Sequence, residues 1–250
     1  MTLMASLQFP LLFILATFLG LSASFADPQE VLYGDIFDRQ GQKKHFQFTH
    51  KINVKDNKRQ SKVVYKDTRG KIVLEEEIET LQGQLNSYKI KQHQINRRAR
   101  IFLKDKQVHF QLLDLKTGKL IEETQKEVPD SKVVVGSTVF QLIEANDQKL
   151  IDDKDVEFHI ALWGRQDLIE FYLRKERMKS SVLTLHMLPS NFFVRQFVET
   201  IVIDYDTHDK QILSYKGRTN LMEKVEGEWE SFDGIIKINH SQKSPQLTSD

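Results

Sequence analysis

Many side chains able to do chemistry are present, but their spacing suits little of it. The eight histidines are His45, His50, His93, His109, His159, His186, His208 and His240, and none falls into an HExxH or HxH arrangement. His45 and His50 lie five apart, so on a strand they point to opposite faces and cannot share a metal ion. Solvated strand histidines are the expected reading. Asp204-x-Asp206-x-x-Asp209 resembles a fragment of a calcium loop. It lacks the central glycine and the closing glutamate that an EF-hand requires. Asp206 fits a hairpin turn instead, where aspartate bonds its own backbone. Asp152-Asp153-x-Asp155 reads as a turn for the same reason, and no metal site is expected.

Nucleophilic and phosphate-binding motifs are missing too. The chain has no G-x-S-x-G, no S-x-x-K with matching partners and no glycine-rich loop. Having no cysteine, it has no disulfide, thiol nucleophile or thiolate metal site. The runs Glu75-Glu76-Glu77 and Arg97-Arg98-x-Arg100 read as solvated charge clusters on strands or turns. No cofactor and no catalytic residue is expected. A hydrolase with dispersed carboxylates is the least favoured of the readings.

The aromatic side chains are placed less evenly. Trp163 ends an apolar run just before Gly164, Phe171-Tyr172 follow, and Phe192-Phe193 sit side by side with Phe197 one turn on. Adjacent aromatics cannot both enter one core from a regular strand. Closing the end of the core is the favoured reading of such a pair; lining a cleft, mouth or interface is the alternative. If the fold leaves a ligand hollow, Phe158, Ile160, Phe171 and Leu185 are expected to face it, with Trp163 or Phe192 near the mouth.

The elements that position these residues are strands. Phe46, Phe48, Ile52 and Val54 fall on one parity, and Val108, Phe110 and Leu112 on another run. Val156, Phe158, Ile160 and Leu162, then Leu183, Leu185 and Met187, then Ile201, Ile203 and Tyr205, continue the pattern. Such alternation means an antiparallel sheet with one buried face. Polar turns at Asp67–Gly70, Lys116–Gly118 and Asp206–Lys210 separate the runs as hairpins do. No βαβ rhythm is visible. A helix is expected over Ser137–Asn146, with Ser137 as its cap and Val139, Phe140, Leu142 and Ile143 on one face. A second, shorter helical segment is expected between Ser190 and Val198. The fold class is therefore mainly β: an antiparallel curled sheet, half-barrel or open barrel with one or two short helices.

The ends differ from the middle. Residues 1–26 hold no charged side chain, and Phe9–Leu21 is an apolar run of 13 residues followed by Ser24-Phe25-Ala26. That is the pattern of a secretory signal peptide cleaved after Ala26, with an uncleaved anchor as the rival; the apolar core is shorter than a membrane span needs. Residues 27–240 form a single β-rich domain on this reading, and 241–250 a disordered tail. Export to the periplasm, or secretion, is the expected localisation, with no transmembrane span after cleavage. Over the 250 residues, 36 basic side chains face 35 acidic ones, and a formal charge of +1 argues against a nucleic-acid partner.

Between Val133 and Ile238 the chain resembles the periplasmic family of unknown function DUF3108. The residues that carry the likeness are Val134-Val135-Gly136-Ser137 before a helix, Leu185-x-x-Leu188-Pro189, Phe197–Tyr205, and the segment Leu213-Ser-Tyr-Lys-Gly217-Arg-Thr-Asn220-Leu221. These are packing motifs, and no catalytic residue comes with them. The resemblance implies an open or half β-barrel of the kind that carries lipoproteins, with Gly217 and Asn220 marking a bulge or turn. The expected function is non-catalytic binding of a lipid or other apolar ligand. An envelope protein that binds a protein partner through a sheet edge or aromatic patch is the alternative.

Overall fold

The computed structural model describes residues 30–195 and 199–240. The expected signal segment, the tail 241–250 and Phe197 lie outside the described residues. Fifteen strands form one sheet. The first eight are β1 (Glu30–Phe37), β2 (Lys44–Lys55), β3 (Lys58–Asp67), β4 (Ile72–Leu81), β5 (Gln84–Gln92), β6 (Arg97–Lys104), β7 (Gln107–Asp114) and β8 (Leu120–Glu127). After them come β9 (Lys132–Val134), helix α1 (Thr138–Ile151), β10 (Val156–Leu162), β11 (Asp167–Lys179) and β12 (Val182–Pro189). A short helix α2 (Phe192–Arg195), β13 (Ile201–Asp206), β14 (Gln211–Val225) and β15 (Glu228–His240) complete the order. The mainly β, curled and unclosed sheet with two helices is the fold class read from the sequence.

Hydrogen-bonded neighbours run from β8 down to β1, then through β15 to β9. Strands β8 and β9 are therefore the two edges of the sheet, although they follow each other in the chain. Laid flat, fifteen strands about 4.8 Å apart would span roughly 67 Å. The step from Glu127 to Lys132 can bridge at most about 18 Å. The connection through Val128-Pro129-Asp130 thus forces the sheet to roll until its edges nearly meet. Consistent with this, β9 lies against β5, and Lys126 on β8 pairs with Asp167 on β11 at 3.0 Å.

Local chemistry explains the turns. Asp67 Oδ1 accepts the N–H groups of Arg69 and Lys71 at 2.9 and 3.0 Å, and Gly70 takes φ +81°. Asp206 Oδ1 accepts from His208 and Asp209 in the same way, so it is a turn residue. Asp204 is held by the hydroxyls of Thr184 and Ser214, both at 2.8 Å.

Two expectations need correction. The strands β9 and β10 pair in parallel, joined by α1, so one βαβ crossover exists where the sequence showed no such rhythm. A β9 of only three residues carries too little alternation to reveal it. The helical stretch kinks at Asn146 (φ −128°, ψ 15°), where the expected helix ends, and a further helical piece carries on to Ile151 with Leu150 buried. Ser137, however, makes no side-chain cap. Thr138 does that work: its hydroxyl accepts from the N–H of Val135 and donates to the Val135 carbonyl, both at 2.8 Å.

Two apolar clusters result. One lies under β1–β7 and takes in Val133, Val135, Ala161, Leu221 and Phe232. The other packs α1 onto β10–β14. Gly34 of β1 shows how tight the first is, since a Cβ there would fall less than 3.0 Å from the Phe48 ring and from the Lys237 carbonyl oxygen. The ring can turn; the carbonyl belongs to a paired strand and cannot. Gly34→Ala is expected to cost about 1–3 kcal/mol by overpacking, a melting-temperature drop of roughly 3–10 °C. A thermal melt matching wild type would show the strands free to part there.

Candidate functional site

Between the two clusters lies a cavity of about 610 Å³, partly open to solvent. Its walls come from the inner faces of β1–β4, from α1, and from β10–β15. Leu, Ile, Val and aromatic side chains dominate them. Polar side chains reach it too, Arg59, Gln141, Glu144, Arg165 and Lys210 among them. Two of its polar groups, on β4 and β2, are buried and are placed there by the alternation of their strands.

The first is Glu76. A period of two places it on the opposite face from Glu75 and Glu77. Those two meet other side chains outside: His93 at 2.9 Å from Glu75, and Lys62 at 3.7 Å from Glu77. Glu76 is only 1 % exposed, which overturns the solvated reading of this run. Its Oε1 accepts from the hydroxyl of Tyr88 at 2.7 Å and from Nδ2 of Asn220 at 2.8 Å. Its Oε2 takes a longer bond from the Tyr65 hydroxyl at 3.3 Å. Burial pushes this carboxyl above its usual range, against three hydrogen bonds that pull it down. Burial and the nearby Glu76 charge push the Tyr65 and Tyr88 hydroxyls up as well.

Asn220 extends the network. Its Oδ1 accepts from the Trp163 indole at 3.2 Å, and its carbonyl accepts from Gln92 Nε2 at 2.8 Å. Gln94 then brackets Met222, donating to its carbonyl at 2.7 Å and accepting its N–H at 3.1 Å. The ladder of β14 with β15 shifts between Arg218 and Met222. A bulge of this kind frees backbone groups from their own ladder, and the two glutamines take them up. Asn220 lies within this bulge, whereas Gly217 is still paired with Gly234 just before it.

The second polar group is His50, in phase with Phe46, Phe48 and Ile52 on the inner face of β2. It is 7 % exposed and its Nε2 has no hydrogen-bond partner among the described residues. Burial, with a smaller contribution from the Arg59 charge, depresses its pKa from 6.5 to about 4. The solvated reading of the histidines therefore fails here, whereas the His208 side chain is 85 % exposed. Both Glu76 and His50 were legible by parity with their apolar neighbours.

The expected lining residues divide. Ile160, Trp163 and Phe171 line the cavity. Phe158 and Leu185 are fully buried in the core beneath α1 and form no part of the wall. Phe192 and Phe193 are 64 % and 72 % exposed. Their neighbour Val194 is the part of α2 that reaches the cavity. Asn191 caps this turn through the N–H of Phe193 at 2.8 Å. Among the described residues, no group of three or more His, Asp or Glu side chains is gathered for a metal ion.

No protein-family model and no curated protein matches the chain. Among solved structures, a β-barrel-like protein of the domain of unknown function DUF1849 from Brucella abortus is similar. The likeness covers 87 % of this chain and all of that one, at 6 % identity and a TM-score of 0.42. At that level it carries no weight for function.

Two outcomes follow from the polar groups. A depressed imidazole contributes stability that is fully present above pH 6.5 and is lost as pH falls toward 4. Between pH 7 and 4.5, His50 is expected to remove on the order of 2–3 kcal/mol. His50→Leu should abolish that loss, read as urea-unfolding free energies at the two pH values; parallel losses in both proteins would place the histidine in water. Glu76 has the opposite sign, because a raised carboxyl loses stability as pH rises above its unfolded value of 4.5. Glu76→Gln keeps the acceptor and should flatten that decline. Glu76→Ala strands Tyr88 and Asn220, at about 1–3 kcal/mol for each buried group left unpaired.

Proposed function

We propose that this chain is a non-catalytic binding protein of the cell envelope that holds a lipid or similar apolar ligand in the cavity between its two clusters. The observation that carries this is the cavity itself. Its volume lies within the roughly 300–1,000 Å³ range of small-molecule sites, and mostly apolar walls with a few polar groups are what such sites present. The uncharged apolar leader supports export. The absence of catalysis is supported by the engagement of Glu76, whose hydrogen bonds point to neighbouring strands and serve to position them. Among the described residues, no helix is long and apolar enough to cross a membrane.

A protein partner is the second reading, favoured by the two exposed phenylalanines of α2 beside the cavity wall. One experiment separates the two. Delipidated protein is titrated with a neutral hydrophobic dye, and material from the envelope fraction is weighed by native mass spectrometry for co-purified lipid. Ile160→Trp, which fills the cavity, should weaken dye binding at least fivefold with little change in melting temperature, while Phe192→Ala leaves it unchanged. Loss of binding in Phe192→Ala alone would move the site to the outer aromatic patch. No dye binding and no lipid mass would end the ligand reading.

A further inference from the structure

The wall of the cavity on β2 and β3 carries two polar groups that the protein leaves without a partner. One is His50, buried, with Nε2 unpartnered. Its cross-strand neighbours are Leu32 on β1 and Val63 on β3, and neither side chain can accept a hydrogen bond. The other is Arg59, which lines the same cavity. Its Nε is buried without a partner, and among the described residues its guanidinium makes no ion pair. The two are close enough for the Arg59 charge to act on the imidazole.

Buried polar side chains are nearly always paired, so two orphans on one wall call for a cause. A guanidinium has donors only, while a neutral imidazole offers one donor and one acceptor and can serve either kind of partner, so Arg59 sets the requirement. What is missing is therefore an acceptor, and the strongest acceptor for a guanidinium is an anion able to take two parallel hydrogen bonds. The carboxylates nearby do not fill that role. Glu30 lines the cavity on β1, opposite Ile52, yet forms no ion pair with Arg59. Glu76 is already occupied by Tyr65, Tyr88 and Asn220. Elsewhere the wall is mixed, with Gln141, Glu144, Arg165 and Lys210 on it, but Ile160, Ile169, Phe171, Ile236 and Ile238 give it a mostly apolar stretch. A molecule that satisfies the donors and also fills this hollow needs an anionic end and a hydrocarbon body.

We propose that the cavity takes a single-chain amphiphile with a terminal carboxylate, its head against Arg59 and His50 and its chain along the apolar wall. This rests on the ligand-binding reading above and assigns the class of ligand and the end of the cavity that receives its head. A carboxylate removed from water beside an unpaired guanidinium gains more than an alcohol does, because the bond is charge-assisted at both ends.

The test uses full-length delipidated protein at pH 7.5 and the displacement of a neutral dye, N-phenyl-1-naphthylamine, by three ligands of equal chain length. Dodecanoic acid should bind at least tenfold more tightly than dodecanol. Arg59→Met should bring the acid down to the level of the alcohol while leaving dodecanol within twofold of wild type. Arg59→Lys should retain part of the preference. Since Arg59 is half-exposed at the start of its strand, these variants are expected to fold, and the acid-to-alcohol comparison in wild type needs no variant at all. Equal binding of acid and alcohol would overturn the head-group assignment while leaving the cavity as a lipid site. Tighter binding of dodecyl phosphate than of the acid would overturn the carboxylate in favour of a phosphate. Failure of the dye and all three ligands to bind would overturn the ligand-binding reading itself.

Discussion

The hydrogen bonds of the Glu76 carboxylate are the constraint on which the shape of this protein depends. Strands β4 and β14 are separated in the sheet by β3, β2, β1 and β15, so no backbone ladder can join them. Left alone, a sheet of this length would twist and open. Glu76 reaches across the interior to Asn220, and Gln92 and Gln94 take the backbone groups that the β14 bulge releases. The roll begun by the short β8–β9 connection is thereby fixed in one register. The space left on the inner side of this latch is the cavity.

A buried carboxylate contributes little net stability, since the cost of removing it from water offsets most of what its hydrogen bonds return. Its contribution is direction. Three donors from β3, β5 and β14 converge on it, and an apolar side chain would permit the two halves of the sheet to slide. His50 and Arg59 are a different case. They sit on the same inner face as Glu76, yet nothing converges on them. One polar site in this interior is complete and holds the fold; the other is incomplete and faces the hollow. That contrast is the physical ground for reading the first as structural and for proposing the second as a binding site.

Much of the fold was legible because period-2 alternation and aspartate-rich turns are local signals, and Asp67 and Asp206 behave as their sequence context requires. The parallel pairing of β9 with β10 was not legible, since three residues cannot display a period. The polar interior was legible in part and passed over. His50 continues the even-numbered series Phe46, Phe48 and Ile52, and Glu76 lies in phase with Leu74 and Ile78. Composition hid both, because a histidine on a strand and a glutamate among glutamates look solvated. Glutamate at 76 becomes reasonable only when Asn220, 144 residues away, arrives beside it. No reading of neighbours along the chain supplies that partner. Phe158 and Leu185 show the converse limit. Alternation correctly puts them on an inner face, but it cannot tell a side chain under a helix from one that borders a void.

An unclosed sheet has two edges, and both are managed in ways that leave the cavity accessible. Edge strand β8 carries Glu122, Glu123, Lys126 and Glu127 among its eight residues, charges that discourage a second sheet from pairing there. Edge strand β9 has only three residues, followed directly by α1, which covers its side of the sheet. In a small closed barrel the inward side chains meet and fill the interior. Here the inner faces are too far apart to meet everywhere, and the apolar residues gather into two clusters, one under β1–β7 and one under α1. The hollow is what remains between them. Filling it with side chains would require the clusters to merge, which the latch at Glu76 prevents by setting the distance between the halves. The interaction that stabilises the roll is thus also the one that keeps the interior from collapsing, and a ligand that filled the hollow would add apolar contact without having to displace any of the latch.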